Sequence, residues 1–175
     1  MNVSDLKPSQ SNYSWKHDPL IWTYSILMLI PIIIVFIFYN YYDLVSCVCA
    51  GWMLLAFSIV IILLAGYEFR MKGGAPEGKS IVNTTVLVDT GVYAVIRHPQ
   101  YLGFILFTFG LVLLSQYWLS VFSGVLGSAL FYIDVLKEEQ MSITKFGDEY
   151  LHYMQRVPRM NFILGIIKLL KESRK

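Results

Sequence analysis

The chain has 175 residues, of which 56% are hydrophobic and 15% charged, against about 45–50% apolar and 25% charged in ordinary soluble domains. That balance excludes a water-soluble globule. Its 14 Lys plus Arg against 12 Asp plus Glu leave a net charge of +2, too little to neutralise a phosphate backbone, so nucleic acid is not an expected partner. The expected fold is an all-α integral membrane protein, a single membrane domain over residues 1–175 with the lipid bilayer as its solvent.

The first nineteen residues are polar and lack the charged, apolar and small-residue zones of a removable signal, so the first apolar run is expected to stay as an anchor. Residues 20–39 and 44–67 carry no formal charge over 20 and 24 positions, each enough to cross a hydrocarbon core of about 30 Å. Residues 1–67 therefore read as a two-span anchor, with Pro31 expected to kink the first span. Cys47 and Cys49, two apart on a helix, point in different directions, and His17, His98 and His152 are scattered. Neither a disulfide framework nor a metal site is expected.

The next segment holds Gly73, Gly74, Pro76 and Gly78, then a β-branched run over 81–88, then Asp89-Thr90-Gly91. It reads as a flexible loop, a short extended piece and a turn. Its glycines form neither a dinucleotide-binding nor a Walker fingerprint.

From His98 to Leu136 there is no Lys or Arg. As one helix this stretch would run about 58 Å, nearly twice the membrane core, so it must fold back. Ser115-Gln116-Tyr117 is the polar cluster near its middle, giving a hairpin of two short spans, 101–115 and 118–135, and about four transmembrane helices in all. Four crossings place both termini and the 68–100 loop on one side, which holds every Lys and Arg and is therefore cytoplasmic. The sequons at Asn12 and Asn83 then lie out of reach of glycosylation. Ser120, Gly124, Gly127 and Ser128 form a small-residue stripe suited to close helix packing.

Beyond the hairpin, apolar positions from Leu136 to Val157 recur at three- and four-residue steps, predicting a cytoplasmic amphipathic helix broken at Gly147. Residues 162–170 are apolar but too short to span and are flanked by Lys168, Lys171, Arg174 and Lys175, as in an interfacial segment. Residues 68–158 thus form the core, and 159–175 an interfacial tail.

Pro99 suits the first turn of the third span and pushes His98 into extended backbone outside it. The helix start, near Gln100, Tyr101 and Leu102, then offers free N–H groups to an anion. Because residues equidistant from the hairpin turn meet at the same level, Arg97, His98 and Tyr101 are expected beside Glu138 and Glu139. A zwitterionic, positively centred ligand finds complements there: N–H donors for its carboxylate, Glu138 for its ammonium, and the faces of Tyr93 or Tyr101 for a cation. Taken singly, Arg97 reads as a snorkelling anchor, the tyrosines as interfacial aromatics and the glutamates as a solvated face. Their convergence favours a site, with Glu139, about 100° around the helix from Glu138, expected to matter less.

The run Leu87-Val88, Gly91-Val92-Tyr93, Arg97-His98-Pro99, Tyr101 and Gly103, followed by Glu138-Glu139, Phe146-Gly147-Asp148-Glu149-Tyr150, Tyr153 and Arg156-Val157-Pro158, closely resembles the isoprenylcysteine carboxyl methyltransferase family and its relatives among the phospholipid methyltransferases. The resemblance implies an integral membrane methyltransferase using S-adenosylmethionine, with both termini cytoplasmic, in the inner membrane of a bacterium or the endoplasmic reticulum of a eukaryote. It implies that Leu87, Val88, Gly91, Tyr93, His98, Pro99, Gln100, Tyr101 and Glu138 bind the cofactor, that Glu138 and Arg97 are catalytic, and that a lipophilic or lipidated acceptor enters from the bilayer. An isoprenylcysteine-type carboxylate is one candidate acceptor; a phospholipid amine or a thiol, an NADPH-dependent reductase relative and an inactive scaffold are the alternatives. Where the family usually places an Arg four residues before the paired glutamates, this chain has Asp134. Either Lys137 or Arg97 then meets an acidic acceptor, or the acceptor is not an acid; Asp134 and Lys137 are the expected substrate contacts. Thr85 stands where the family has a His before the Leu-Val pair.

Overall fold

A computed structural model describes residues 18–74 and 85–172. The sequons at Asn12 and Asn83, Pro76, Gly78, the first part of the 81–88 run and the last three residues of the tail lie outside these. Among the described residues all regular structure is helical: α1 (Pro19–Ile37), α2 (Val45–Lys72), a 3-10 turn (Gly91–Ala94), α3 (Pro99–Ser115), α4 (Trp118–Phe146), α5 (Asp148–Arg156) and α6 (Phe162–Glu172). Of these, α1, α2 and α4 are long and apolar enough to cross a membrane, while α3 is an apolar helix of 17 residues.

Local chemistry sets the boundaries. The Asp18 carboxylate accepts from the Leu20 amide at 2.9 Å, and Pro19 opens α1, where a missing N–H costs nothing. Asn40 and Asp43 take left-handed backbone in the turn after α1, a conformation that short polar side chains tolerate. Gln116 does the same after α3 with φ 55°. Its side chain then joins the two turns: Oε1 accepts from the amides of Tyr42 and Leu44 at 3.3 and 3.2 Å, and Nε2 donates to Asn40 Oδ1 at 2.8 Å and to the Leu44 carbonyl at 3.0 Å. Phe38 stacks on Tyr117 at 4.2 Å beside this knot.

The helices approach closely where side chains are small. A Cβ on Gly110 would lie 3.2 Å from the Gly51 carbonyl oxygen, and one on Gly103 would lie 3.3 Å from that of Ser58, so α3 rests on the backbone of α2. The predicted stripe on α4 does the same work: Gly124 faces Val112 and Thr108 of α3, Gly127 faces Leu27 and Met28 of α1, and Ser120 and Ser128 are buried. Pro31 is also buried, 3.8 Å from where a Cβ on Gly124 would stand.

The hairpin turn lies where predicted, but its second arm is not short. α4 runs unbroken to Phe146 and absorbs the first half of the predicted amphipathic helix. No glycine or proline interrupts the chain between Gly127 and Gly147, so nothing stops the helix earlier. Gly147, at φ 57°, makes the break and α5 follows.

Candidate functional site

The end of the bundle opposite the Gln116 knot gathers the polar side chains. Gly91 enters the 3-10 turn at φ +61°, left-handed backbone that glycine adopts without the cost a side chain would bring, and the Glu68 carboxyl group packs against it. The turn buries Tyr93 against Ala65 and Val88, with Phe69 packed beside it. The chain then bends at Arg97 and passes through His98, outside any helix at φ -122° and ψ 60° and so not in the expected extended backbone, before Pro99 starts α3, whose first turn has no side-chain cap.

The segment after α5 lies along this piece. The Arg97 amide donates to the Pro158 carbonyl at 3.0 Å and the His98 amide to that of Arg159 at 3.1 Å. Tyr153 fastens α5 from the other side, its hydroxyl donating to the Tyr93 carbonyl at 2.7 Å, and Leu87 packs on Tyr150, Tyr153 and Val157. Arg156 pairs with Asp89 at 2.6 Å at the surface. Burial drives the pKa values of Tyr93 and Tyr153 above the ordinary tyrosine range and pushes that of Tyr150 up to about 12.

The two arms of the hairpin meet at the expected residues. His98 Nε2 lies 3.3 Å from Glu139 Oε1, and His98 Nδ1 lies 3.9 Å from Glu138 Oε2. Glu139 is buried, at 2% exposure, and is the hub. Arg97 Nη2 reaches its Oε1 at 3.0 Å, and Arg159 Nη2 donates to its Oε2 at 2.6 Å. Arg159 Nη1 also donates to the Tyr132 hydroxyl at 2.6 Å, and hydrogen bonding to Glu139 raises the guanidinium pKa further. Glu138, half-buried, sits beside the Tyr101 hydroxyl. Gln100 is exposed. Asp134 and Lys137 turn toward the start of α1: the Tyr24 hydroxyl donates to Asp134 Oδ2 at 3.1 Å, and Lys137 Nζ to Asp18 Oδ2 at 2.9 Å.

Among the described residues, Arg97 Nε and Nη1, Glu138 Oε2, Asp134 Oδ1 and Arg159 Nε are buried without a hydrogen-bond partner. Buried polar atoms seldom stay unpaired. Here unpaired cationic donors and an unpaired carboxylate oxygen lie at one mouth, so the residues present suit a zwitterion with its carboxylate toward Arg97 and its ammonium toward Glu138. A polar groove of about 280 Å³ opens beside Leu87, Asp89, Glu149, His152, Tyr153 and Arg156. An apolar one of about 460 Å³ lies between α1 and α2 over α3.

Sequence reasoning did not anticipate the triple engagement of Glu139, nor Arg159, Tyr24 and Phe131. Arg159 stands directly after the Arg156-Val157-Pro158 motif, and that proximity was the available signal. The pairing of Glu139 depends on the chain folding back after α5, for which the sequence carries no local sign.

Residues 46–149 match the family model described as phospholipid methyltransferase. Among curated proteins, the chain is 37% identical over 86 residues to the human Protein-S-isoprenylcysteine O-methyltransferase, covering 48% of this chain and 30% of that protein. It is 43% identical over 75 residues to the Saccharomyces cerevisiae protein of the same name, covering 41% and 30%. With Protein-S-isoprenylcysteine O-methyltransferase B of Arabidopsis thaliana it shares 27% identity over 116 residues, covering 61% and 58%. The chain thus spans about a third or less of the human and yeast proteins it matches. No solved structure matches it.

Proposed function

We propose, from the premise that the chain belongs to the phospholipid methyltransferase family by a match over residues 46–149, that it transfers a methyl group from S-adenosylmethionine to a lipophilic acceptor, foremost an isoprenylcysteine-type carboxylate. The observation that carries this reading is the mouth of the hairpin, where buried N–H groups of Arg97 and an oxygen of Glu138 have no partner in the protein. In this reading Leu87, Val88, Gly91, Tyr93, His98, Pro99, Gln100, Tyr101 and Glu138 hold the donor. Arg97 steers its carboxylate, and Asp134 and Lys137 border the acceptor.

S-adenosylmethionine supplies a methyl group on a positively charged sulfur. What remains for the chain is alignment and exclusion of water. The strap at 157–159 covers the mouth from one side, and the ring of Tyr101 walls it from the other, with Phe131 stacked behind it. The acceptor reaches it laterally, its hydrocarbon chain in the groove between α1 and α2. Counting α3 as a fourth crossing places both termini in the cytoplasm, with residues 1–67 as anchor, 68–158 as methyltransferase core and 159–175 on the membrane surface.

Calorimetry on the full chain in detergent tests the donor: S-adenosylhomocysteine should give heat and NADPH none, and heat with NADPH alone would replace this reading by a reductase. Incubation with radiolabelled donor and a panel of prenylated cysteines, phospholipids and small thiols tests the acceptor, with label expected on the prenylcysteine carboxylate. Glu138→Ala should weaken S-adenosylhomocysteine binding about tenfold or more, the loss of a charged hydrogen bond of ~1.5–3 kcal/mol.

A further inference from the structure

The groove between α1 and α2 has walls of Met28, Leu29, Ile32, Ile59 and Leu63, and Leu29 and Leu63 at its rim are exposed. It therefore opens sideways, where lipid chains lie. Tyr24 and Phe131, whose ring centres are 4.9 Å apart, are among the residues that line it. On the far side of Phe131, Tyr101 stacks at 4.6 Å, and Tyr101 stands edge-on to His98 at 5.6 Å. Two stacked rings, Phe131 and Tyr101, thus separate the groove from the mouth that holds Arg97, His98 and Glu138. Tyr24 is tied in place by its hydroxyl, which donates to the fully buried Asp134 at 3.1 Å. Tyr24 belongs to α1, which precedes the family match at residues 46–149.

We propose that Tyr24 and Phe131 form a gate between an acceptor groove and the donor mouth, latched by Asp134, and that this gate selects acceptors carrying a long hydrocarbon chain. The inference rests on the methyl-transfer reading and adds positioning residues to it. Transfer requires the nucleophile to come within about 3–3.5 Å of the methyl carbon in line with the bond that breaks. The intervening rings forbid that, so Tyr24 and Phe131 must turn aside when an acceptor arrives and open a path past Tyr101. A chain filling the apolar groove presses on the inner faces of Tyr24 and Phe131. A small water-borne nucleophile leaves the groove empty and the gate shut.

The test compares kcat/KM for a farnesylated acceptor with that for a short-chain analogue bearing the same head, alongside the Kd for S-adenosylhomocysteine, using the full chain in detergent. Phe131→Ala should lower the long-to-short ratio about tenfold, equivalent to ~1.4 kcal/mol, with donor affinity unchanged. Tyr24→Phe, which keeps the ring and loses the latch, should lower the ratio in the same direction. Asp134→Asn, whose amide oxygen still accepts the hydroxyl, should keep it, whereas Asp134→Leu should not. Phe131→Leu serves if the alanine variant does not fold. An unchanged ratio in Phe131→Ala and Tyr24→Phe, or a parallel loss of donor affinity, overturns the gate while leaving methyl transfer standing. A wild-type chain that binds no S-adenosylhomocysteine overturns the methyl-transfer reading, and the gate with it.

Discussion

Arg159 and Glu139, twenty positions apart, share a 2.6 Å hydrogen bond, and the other oxygen of the same carboxylate meets Arg97 at 3.0 Å. One buried acid therefore holds the strap after α5 against the segment that starts α3. Glu139→Ala would leave the Arg97 guanidinium, 7% exposed, without its counter-ion, and breaking a buried pair from one side costs about 3–5 kcal/mol. The midpoint of thermal unfolding in detergent should drop by many degrees, with Glu139→Gln falling in between. An unchanged midpoint in the alanine variant would contradict the network. This structural role is separate from donor binding, which the Glu138 variant measures.

Gln116 makes four hydrogen bonds across two turns that are far apart in sequence. Gln116→Leu should destabilise the chain by roughly 2–6 kcal/mol, because each of the four neutral hydrogen bonds contributes about 0.5–1.5 kcal/mol. Hydrogen exchange at the amides of Tyr42 and Leu44 should accelerate before the rest of the bundle responds. Protection equal to that of the wild type would show that the knot is dispensable.

At Gly165 two effects oppose each other. A Gly→Ala change inside a helix ordinarily gains about 0.8–1 kcal/mol, but a Cβ here would overlap the Val95 carbonyl oxygen, a backbone atom that cannot rotate away. Overpacking of this kind costs about 1–3 kcal/mol, so the clash wins. Gly165→Ala should lift α6 from the segment leading to Arg97, read as faster proteolysis within residues 160–172. Slower cleavage would mean that helix propensity dominates.

The buried tyrosines predict an alkaline response. Tyr150 ionises at about 12 in the folded chain instead of the ordinary 10.0, and Tyr93 and Tyr153 shift in the same direction. A raised folded-state pKa leaves this contribution to stability intact below pH 10 and erodes it as the pH climbs toward 12, because the unfolded chain releases protons that the folded chain still holds. Absorbance at the phenolate band should therefore show these three appearing only as the protein unfolds. Tyr150→Phe should flatten part of the stability loss. Full titration near pH 10 with the fold intact would refute their burial.

Much of this architecture was legible because the relevant signals are local. Charge-free runs, the Ser115-Gln116-Tyr117 cluster, Pro99 and Gly147 each mark a boundary through chemistry that acts over a few residues, and the meeting of His98 with the glutamates follows from counting outward from the turn. The length of α4 was misjudged because an apolar-to-amphipathic change in composition is not a helix stop. Which glutamate would be buried was illegible, since that depends on Arg159 returning from beyond α5. The pairing of Tyr24 with Asp134 joins elements 110 positions apart, and no periodicity in either helix announces it.

The 17-residue α3 rises only about 25 Å at 1.5 Å per residue, less than the thickness of a hydrocarbon core of about 30 Å. In the four-crossing reading, with its far end held at the opposite surface by the turns that Gln116 joins, its proline-led start would lie below the headgroups. A dissolved molecule would have to sink to reach His98, whereas a tail already dissolved among acyl chains need only drift sideways.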